Sequence, residues 1–583
     1  MAKRRKPSLE VVKDEVAEDL TRQDRLTLAD HVESLRERKI DRRSFIRNSA
    51  AFGLSATTVS SLLAACVAGG PSGSTTGGGG PDRDATITVG VEADADTVDP
   101  QAFKTIPGYY MLAHLYDQLI DVQAEDEGDT LIGQQTQPRG MLASSMEVGE
   151  DLQTVTFKMN PQAKFEDGRP VTVDDVKYTF TRGIKGTQYT ALLADMLTLT
   201  SPKNIMVPDD QTVQFKLQQP NPMAERLLSL QVFSIQSKEV SEQHATAKDP
   251  WADAYWRTHV YGNGPYKLKS WNRGQGWEFV PNENYYNKEL PKNGGAIFRI
   301  ISDPEERVGL LRSGELHVAT AVAPRDASEM REEASNVKLV SAPSPWNWAL
   351  AFNNSVEPFK DVRVRQALSY AVPYDSIIEN VMFGLAKPLK TPVAQTMPTS
   401  DPSFWNYETD LRKAKQLLAA AGYENGFKST IDVFLGRTED EQSATFIQES
   451  FRQIGVDVEI NKLAEAQYQA NRNEAKFAMM MIEWFSWVND PFYHLFWNFQ
   501  SENTFTNASR YSNPKVDKII EQGLYETDEQ KRQSLSSEAQ RMVVEDAAWA
   551  FLFARDWYLP VASTLQNVAY WPDQNLRLHW SYV

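Results

Sequence analysis

The stretch Lys164–Phe180 reads K-F-E-D-G-R-P-V-T-V-D-D-V-K-Y-T-F. Its Asp-Gly pair, ending at Gly168, indicates a turn, since glycine adopts positive φ angles without the steric cost of a Cβ. Thr172-x-x-Asp175 has the pattern of a capping box, which satisfies free backbone amides at a helix start. Apolar side chains then recur at helical spacing, namely Val173, Val176 and Phe180. The stretch therefore predicts a corner where an extended segment turns into an amphipathic helix.

Composition limits the class of protein. A chain of 583 residues is too long for one simple core, so two or more lobes are expected. The net charge of -17 argues against a nucleic-acid partner. The single cysteine, Cys66, excludes an intrachain disulfide, and with only 7 histidines a zinc or copper site is not favoured. Aromatic residues make up 10% and include 14 tryptophans, which can supply flat binding surfaces.

The first 66 residues have the pattern of an export signal. Arg42 and Arg43 precede a weakly apolar run, residues 50–65, that is too short and too rich in Ser, Thr and Ala for a transmembrane helix. This arrangement resembles a twin-arginine export signal. The run ends in Leu-Ala-Ala-Cys, which resembles a bacterial lipobox, so Cys66 is expected to be lipidated. Residues 67–84, rich in Gly and Ser, then form a flexible tether.

Further short motifs follow in order along the chain. Residues 85–91 alternate like a strand, Asp99-Pro100 marks a turn, and a helix is predicted over 109–120. The later motifs are G-N-G-P-Y at 262–266, N-Y-Y at 284–286, L-R-S-G-E-L at 311–316, P-F-K-D-V-R-V-R-Q-A-L at 358–368 and A-G-Y-E-N-G-F at 421–427. Within them, Gly314 is expected to end one helix and Asp361 to cap another.

With the corner, these motifs resemble the family 5 extracellular solute-binding proteins, which are oligopeptide- and dipeptide-binding receptors of ABC importers. The corner is similar to that family's F-x-D-G-x-P-x-T-A-D-D-V, with Val173 in place of Ala. The resemblance runs from about residue 85 to the C-terminus. It implies an α/β fold with an α+β subdomain, in the two-lobe hinged arrangement of type II periplasmic-binding proteins.

The resemblance also implies a division of the chain and a mechanism. Residues 85–345 and 556–583 form the first lobe, with a subdomain inserted at about 127–258, and residues 346–555 form the second. A solute binds between the lobes, and hinge closure excludes water. The closed receptor then docks ABC permease subunits, at the periplasmic or outer face of the cytoplasmic membrane.

Motifs that carry catalysis are missing from the sequence. It contains no G-x-S-x-G, H-E-x-x-H, C-x-x-C, Walker A loop or complete G-x-G-x-x-G. We therefore predict no catalytic residue, no metal site and no cofactor. Recognition of a solute is the remaining chemistry.

The candidate recognition site is the stretch 481–491, M-I-E-W-F-S-W-V-N-D-P, where a buried strand leads into a loop. In peptide-binding relatives this place resembles W-x-x-D-x-x-D/E-P, and the first Asp captures the α-ammonium of the peptide. Alignment on Trp484 and Asp490 puts Trp487 at the position of that Asp. Trp487 then offers a flat face to a sugar, an aromatic or a methylated cation, and Glu483 or Asp490 could replace the missing counter-charge. Trp487 as a core residue is the alternative.

Other candidate ligand contacts lie elsewhere in the chain. Trp346 and Trp348 precede a predicted strand at 350–353, and one of them is expected in the cleft. Tyr109 and Tyr110 sit at the start of the first predicted helix, where core packing is equally consistent with the pattern. Phe383 follows a later helix.

Three functions remain compatible with these patterns. The first is a lipid-anchored receptor of an ABC importer for a peptide-like, oligosaccharide-like or opine-like solute. The second is a secreted carbohydrate-active enzyme in which Glu483 and another carboxylate form an acid–base pair. The third is a ligand sensor at the membrane surface that signals to a partner protein.

Overall fold

A computed structural model describes residues 81–128, 130–186, 188–332 and 336–583. Its strands are β1 (Thr86–Val91), β2 (Ile120–Asp126), β3 (Thr130–Gly140), β4 (Ala143–Val148), β5 (Thr154–Met159), β6 (Ile205–Asp209), β7 (Thr212–Lys216), β8 (Tyr266–Asn272), β9 (Gly276–Pro281), β10 (Gly295–Ile300), β11 (Val318–Ala319), β12 (Val337–Phe352), β13 (Ala386–Pro388), β14 (Phe427–Phe434), β15 (Val456–Leu463), β16 (Met479–Trp484), β17 (Trp549–Ala562) and β18 (Val568–Tyr570).

The α-helices alternate with these strands along the chain. They are α1 (Ile106–Leu115), α2 (Val173–Lys185), α3 (Gln188–Met196), α4 (Ala224–Leu228), α5 (Lys238–His244), α6 (Asp253–Trp256), α7 (Pro304–Ser313), α8 (Pro324–Glu332), α9 (Val362–Ala371), α10 (Tyr374–Asn380), α11 (Leu411–Ala420), α12 (Thr438–Gln453), α13 (Glu465–Glu474), α14 (Pro491–Phe499), α15 (Pro514–Tyr525) and α16 (Glu529–Glu545).

The largest sheet has the strand order β15-β14-β16-β12-β17-β11-β1-β10-β9-β8, with β13 attached to β17. Its two longest strands, β12 and β17, contain 16 and 14 residues and pair antiparallel. Their register shifts between Ala342 and Trp346 and again between Trp348 and Ala349. The lobe boundaries at 345 and 555 stay a prediction, and "first lobe" and "second lobe" refer below to those predicted ranges.

The corner at 164–180 folds as its pattern predicts. The Thr172 hydroxyl accepts the Asp175 amide at 3.3 Å, and the Asp175 carboxylate accepts the Thr172 amide at 2.9 Å. Helix α2 buries Phe180, whose ring lies 4.6 Å from that of Phe215 on β7. The helix thereby covers the sheet β4-β5-β7-β6, and the capping box and apolar face are confirmed.

Two other elements differ from the prediction. The first helix spans Ile106–Leu115 rather than 109–120, because the Thr105 side chain accepts the Gly108 amide and caps it early. Tyr116 then adopts extended backbone angles, so the helix ends there. Trp346 and Trp348 lie inside β12 instead of before a strand.

The motif at 262–266 packs against the end of α1. A Cβ on Gly264 would lie 2.7 Å from the Tyr116 nitrogen, which is closer than real Cβ atoms approach. Between the glycines, the Asn263 side chain accepts the Asp117 amide at 2.7 Å and donates to the Ile235 carbonyl at 2.8 Å. The two backbones therefore approach as closely as glycine allows.

We expect Gly264→Ala to lower the free energy of unfolding by about 1–3 kcal/mol, because the added methyl group collides with backbone atoms that cannot move away. Urea denaturation measures the change. Gly309→Ala is the matched control, since Gly309 lies within α7 with open space around it and alanine there should stabilise by about 0.5–1 kcal/mol. Equal behaviour of the two variants would contradict this role of Gly264.

Candidate functional site

The loop 485–490 connects β16 to α14. Asp490 is the N-cap of α14, and its Oδ1 accepts the amide of Phe492 at 2.9 Å. Pro491 occupies the first helical position, where no amide proton is needed. The start of the helix thus fixes the end of the loop that carries Trp487.

Trp487 lies in an aromatic stack with residues of the first lobe. Its ring is 5.4 Å from Tyr109 and 5.7 Å from Phe103, and these two rings stack on each other at 4.7 Å. The Tyr189 ring packs edge-on against the Trp487 ring, with 5.4 Å between the ring centroids. Trp487 stays partly exposed. The residue that was expected to line a cleft therefore joins the two lobes through ring contacts.

Tyr109 is held in this stack by the C-terminal segment. Its hydroxyl donates to Asp573 at 3.0 Å, and Asp573 is paired with Arg577 at 2.8 Å. The Asn575 side chain donates to the Tyr109 carbonyl at 3.1 Å. Burial, and next to it the Asp573 charge, raises the pKa of Tyr109 well above its ordinary value, so the hydroxyl stays a donor. Tyr109 is 2% exposed, so its ring is covered by the neighbouring rings and its polar end is held inside.

Trp346 and Trp348 have different environments although both point to one face of the sheet. Their rings lie 5.1 Å apart, and the Arg555 guanidinium carbon sits 4.0 Å from the first and 4.9 Å from the second. Trp348 is 1% exposed and belongs to the core, whereas Trp346 is partly exposed. Phe485 contacts the Trp346 ring at 5.6 Å and the Trp487 ring at 6.3 Å, which links the strand to the stack.

Charged side chains surround Trp346 and form what we call the charged cluster: Arg437, Glu439, Asp440, Glu483 and Arg555. Arg437 donates to Glu483 and Asp440 at 3.3 Å each, and Arg555 donates to Glu439 at 2.9 Å. The Trp346 indole also donates to Glu483. Two guanidinium groups thus face three carboxylates across a small, partly buried volume.

Asp440 is the deepest member of the charged cluster. It is fully buried and accepts the Trp348 indole at 3.2 Å. Burial raises the pKa of Asp440 to about 7, although Arg437 opposes the rise. Asp440 is therefore the member of the charged cluster whose charge depends on pH close to neutrality.

Tyr110 and Glu92 face this cluster from the first lobe. Burial raises the pKa of Tyr110, Glu92 raises it further, and Arg555 lowers it. The Tyr110 hydroxyl therefore stays protonated. Glu92 accepts the Thr320 hydroxyl at 2.8 Å.

Asp490, one of the two carboxylates expected to replace the missing counter-charge, is buried against arginine side chains. It is 0% exposed, and Arg532 holds both carboxylate oxygens at 2.7 and 2.8 Å. Arg226 of the subdomain adds a contact at 3.3 Å. Burial alone would raise the pKa of Asp490, but Arg532 and then Arg226 hold that pKa below its ordinary value. Its role is to cap α14 and to pair with arginine.

Trp484 and Phe383 lie apart from the aromatic stack. Trp484 is partly exposed, its indole nitrogen has no hydrogen-bond partner in the described part of the chain, and its ring is 6.4 Å from Trp497. Phe383 borders a separate cavity of about 280 Å³, which is lined among others by Pro324, Arg325, Val381, Thr438 and Phe446. These two positions stay predictions, and the structure does not bring Phe383 together with Trp487.

Sequence patterns missed several residues of the site. Phe103, Tyr189, Arg437 and Arg555 carry no motif that distinguishes them from other aromatic or basic residues. Arg437 directly precedes α12, whose first turn contains three acidic residues. This run of opposite charges was the one sequence feature that could have indicated an ion pair at Arg437. Arg555 lies on β17, opposite Trp346 of β12. Its position in the site depends on the pairing of these two strands, which the sequence pattern does not show.

The described ranges hold no group of three or more His, Cys, Asp or Glu side chains that could bind a metal ion. Nor does any helix there combine the length and apolar character needed to cross a bilayer. The predictions at Arg42, Arg43 and Cys66, and the tether, lie outside the described residues.

We expect Asp490→Asn to lower the free energy of unfolding by about 3 kcal/mol at neutral pH, because it leaves two largely buried guanidiniums without a counter-charge. Asp528→Asn, at the exposed N-cap of α16, is the matched control and should change it by less than about 0.5 kcal/mol.

The loss of stability in Asp490→Asn should also depend on pH. The folded-state pKa of Asp490 is depressed, so its contribution is complete above the unfolded-state pKa of about 3.9 and is lost as the pH falls through the folded-state value. The difference between the variant and the natural protein should therefore shrink in acid. A difference that does not depend on pH would contradict the ion pair as its cause.

Comparisons with known proteins identify the family. A family model described as "Bacterial extracellular solute-binding proteins, family 5 Middle" matches residues 137–506. The probable D,D-dipeptide-binding periplasmic protein DdpA of Escherichia coli is 29% identical over 494 residues, which cover 83% of this chain and 92% of that protein.

Solved structures share the fold. DppA of Helicobacter pylori in complex with the peptide STSA superimposes with a TM-score of 0.74 at 22% identity, covering 86% of this chain and 98% of that one. AgaA of A. tumefaciens R10 in complex with agropinic acid gives a TM-score of 0.71 at 22% identity, covering 85% and 96%. The two-lobe type II fold and the resemblance inferred from the corner are thereby confirmed. The chain belongs to the bacterial extracellular solute-binding proteins of family 5, as a substrate-binding receptor of an ABC import system.

Proposed function

We propose that this receptor captures a short peptide-like solute between the Trp487 stack and the charged cluster. The observation that carries the proposal is the Arg437–Glu483 pair at 3.3 Å, whose side chains remain 23% and 21% exposed. A pair of opposite charges beside a partly exposed indole suits a solute that is itself a zwitterion. The relative DdpA, named for D,D-dipeptides, and the peptide complex of DppA support the same class.

Each charge of such a solute has a partner in the site. A carboxylate can accept from Arg437 or Arg555 in a bidentate manner. An ammonium group can donate to Glu483, or to Glu92 from the first lobe. Because Asp490 is fully engaged by arginine, Glu483 is the carboxylate we assign to replace the Asp that peptide-binding relatives have at the position of Trp487. The Trp487 ring then covers the apolar part of the solute.

The geometry also supports a mechanism of capture. Trp487 contacts rings of the predicted first lobe, and we assign this contact to the closed form of the receptor. Closure is favoured only by contacts that the open form lacks, and the solute supplies more of them. Exclusion of water strengthens each charge contact inside. The solute is released unchanged to the permease.

An opine-like solute is the second candidate. AgaA, which has the same fold, was solved with agropinic acid. The indole of Trp487 stands where an ammonium-binding carboxylate is expected, and this favours a solute whose amino nitrogen is acylated and therefore carries no positive charge. Such a molecule keeps the carboxylate for Arg437 and needs no second counter-charge at the loop.

The solute class can be tested by thermal denaturation with L-methionyl-L-leucine, D-alanyl-D-alanine, the peptide STSA, agropinic acid and maltose. A solute at 100 times its dissociation constant adds about 2.7 kcal/mol of stability. We expect a peptide to shift the transition and maltose to leave it unchanged. A shift with agropinic acid alone would select the second candidate, and a shift with maltose alone, or hydrolysis of any bound solute, would overturn the proposal.

Variants of the site sharpen this prediction. Trp487→Ala should weaken binding of the peptide found in that panel by about 10- to 100-fold, because it removes the ring that bridges the lobes. Glu483→Gln keeps the hydrogen-bond acceptor for Trp346 but removes the negative charge. It should weaken binding of a zwitterionic peptide to a similar extent. Isothermal titration calorimetry measures both.

Matched controls separate the site from the rest of the protein. Trp251→Ala removes a tryptophan that contacts Tyr178 in the subdomain, and Glu459→Gln neutralises an exposed carboxylate on β15. Neither should change affinity more than twofold. Full affinity in Trp487→Ala would remove this loop from the site.

Anchoring at the membrane is part of the same proposal. Family members are extracellular, and Arg42, Arg43 and Cys66 resemble an export signal followed by a lipobox. We expect Cys66→Ser to move the protein from the membrane fraction to the soluble extracytoplasmic fraction and to abolish labelling with radioactive palmitate. Replacement of Arg42 and Arg43 by lysine should retain the protein in the cytoplasm. Unchanged labelling of Cys66→Ser would contradict lipidation at this residue.

A further inference from the structure

The loop that carries Trp487 is held by hydrogen bonds from the first lobe as well as by ring contacts. Two side chains supply these bonds, Gln135 on β3 and Arg226 on α4. Both reach the backbone of the short segment 487–489, which lies directly before the buried N-cap Asp490. The contact crosses between parts of the chain that belong to different predicted lobes.

Gln135 makes the more specific of the two contacts. Its Nε2 donates to the Trp487 carbonyl at 2.6 Å, and its Oε1 accepts the Asn489 amide at 2.5 Å. One carboxamide therefore pairs with an acceptor and a donor two residues apart, as a neighbouring β-strand would. The planar carboxamide of Gln offers both groups side by side, as this pairing requires.

Arg226 extends this contact by one residue. It donates to the Asn489 carbonyl at 3.1 Å and to the Asp490 carboxylate at 3.3 Å. Arg532, from the second lobe, already holds Asp490 through both oxygens. Asp490 is therefore the fixed end of the loop, whereas the backbone from Trp487 to Asn489 is held across the cleft.

We infer that Gln135 is a positioning residue of the binding site, which locks the Trp487–Asn489 backbone in the closed form and keeps the Trp487 ring between the lobes. The inference deepens the proposed function and rests on it only for the effect on a solute. Because the bonds cross between the predicted lobes, opening must break them. They should slow release of the solute more than they speed its capture.

Hydrogen exchange of the full chain without any solute tests the contact directly. In Gln135→Ala, amide exchange in the peptide covering residues 485–490 should become at least about tenfold faster, since the Asn489 amide loses its acceptor. Gln137→Ala is the matched control, because Gln137 lies on the same strand and donates to exposed Glu125. The control should exchange at the natural rate. Equal exchange in the natural protein and Gln135→Ala would overturn the inference.

A conservative variant distinguishes positioning from general packing. Gln135→Glu keeps an acceptor for Asn489 but turns a second oxygen toward the Trp487 carbonyl, where a donor is required. At neutral pH its loop should exchange about as fast as that of Gln135→Ala, while the thermal transition stays within 2 °C, roughly the limit for a surface substitution. If the loop of Gln135→Glu exchanged as slowly as that of the natural protein, the paired contact would be contradicted.

Stopped-flow binding of L-methionyl-L-leucine then tests the kinetic consequence. Gln135→Ala should raise the dissociation rate constant about tenfold and change the association rate constant less than about twofold. Unchanged dissociation would overturn the positioning role even where the peptide binds normally. If exchange responds as expected but the peptide binds neither protein, the proposed solute class fails while the contact of Gln135 with the loop stands.

Discussion

The pairing of β12 with β17 is the constraint on which the rest of the structure depends. These strands are the longest of the large sheet and lie between its two groups of strands. Their register places Trp346 opposite Arg555, with a shift on either side of this position. The predicted lobe boundaries at 345 and 555 fall within this pair of strands, so a hinge is expected there. The charged cluster lies beside this pair, whereas the Trp487 loop follows the neighbouring strand β16.

Electrostatics in the site follow from burial. Two interior carboxylates beside the site are tolerated because each has a guanidinium partner, Asp490 in Arg532 and Asp573 in Arg577. These two pairs are saturated by structural contacts and fix the positions of Trp487 and Tyr109. The Arg437–Glu483 pair differs because both side chains keep part of their surface in contact with solvent. A solute can exchange partners with such a pair at a lower desolvation cost than with a fully buried one.

Local patterns predicted much of the fold but little of the site. The capping box at Thr172, the terminal glycine at Gly314 and the cap at Asp361 are confirmed because each depends on neighbours within four residues. The length of β12 was missed because two prolines interrupt its pattern. The role of Asp490 could not be read from the chain, since its partner Arg532 lies 42 residues away. Trp487 and Glu483 were predicted as site residues, whereas their partners Phe103 and Arg437 depend on tertiary contacts that no spacing shows.

The contact between Tyr109 and Asp573 spans 464 residues of the chain. The ring that contacts Trp487 is therefore oriented by a carboxylate that lies far away along the chain. Helix α1 alone offers the Tyr109 hydroxyl no such acceptor, so the aromatic stack takes its arrangement from two distant segments that fold against each other. A substitution near Asp573 can thus disturb the surface around Trp487 without touching that loop.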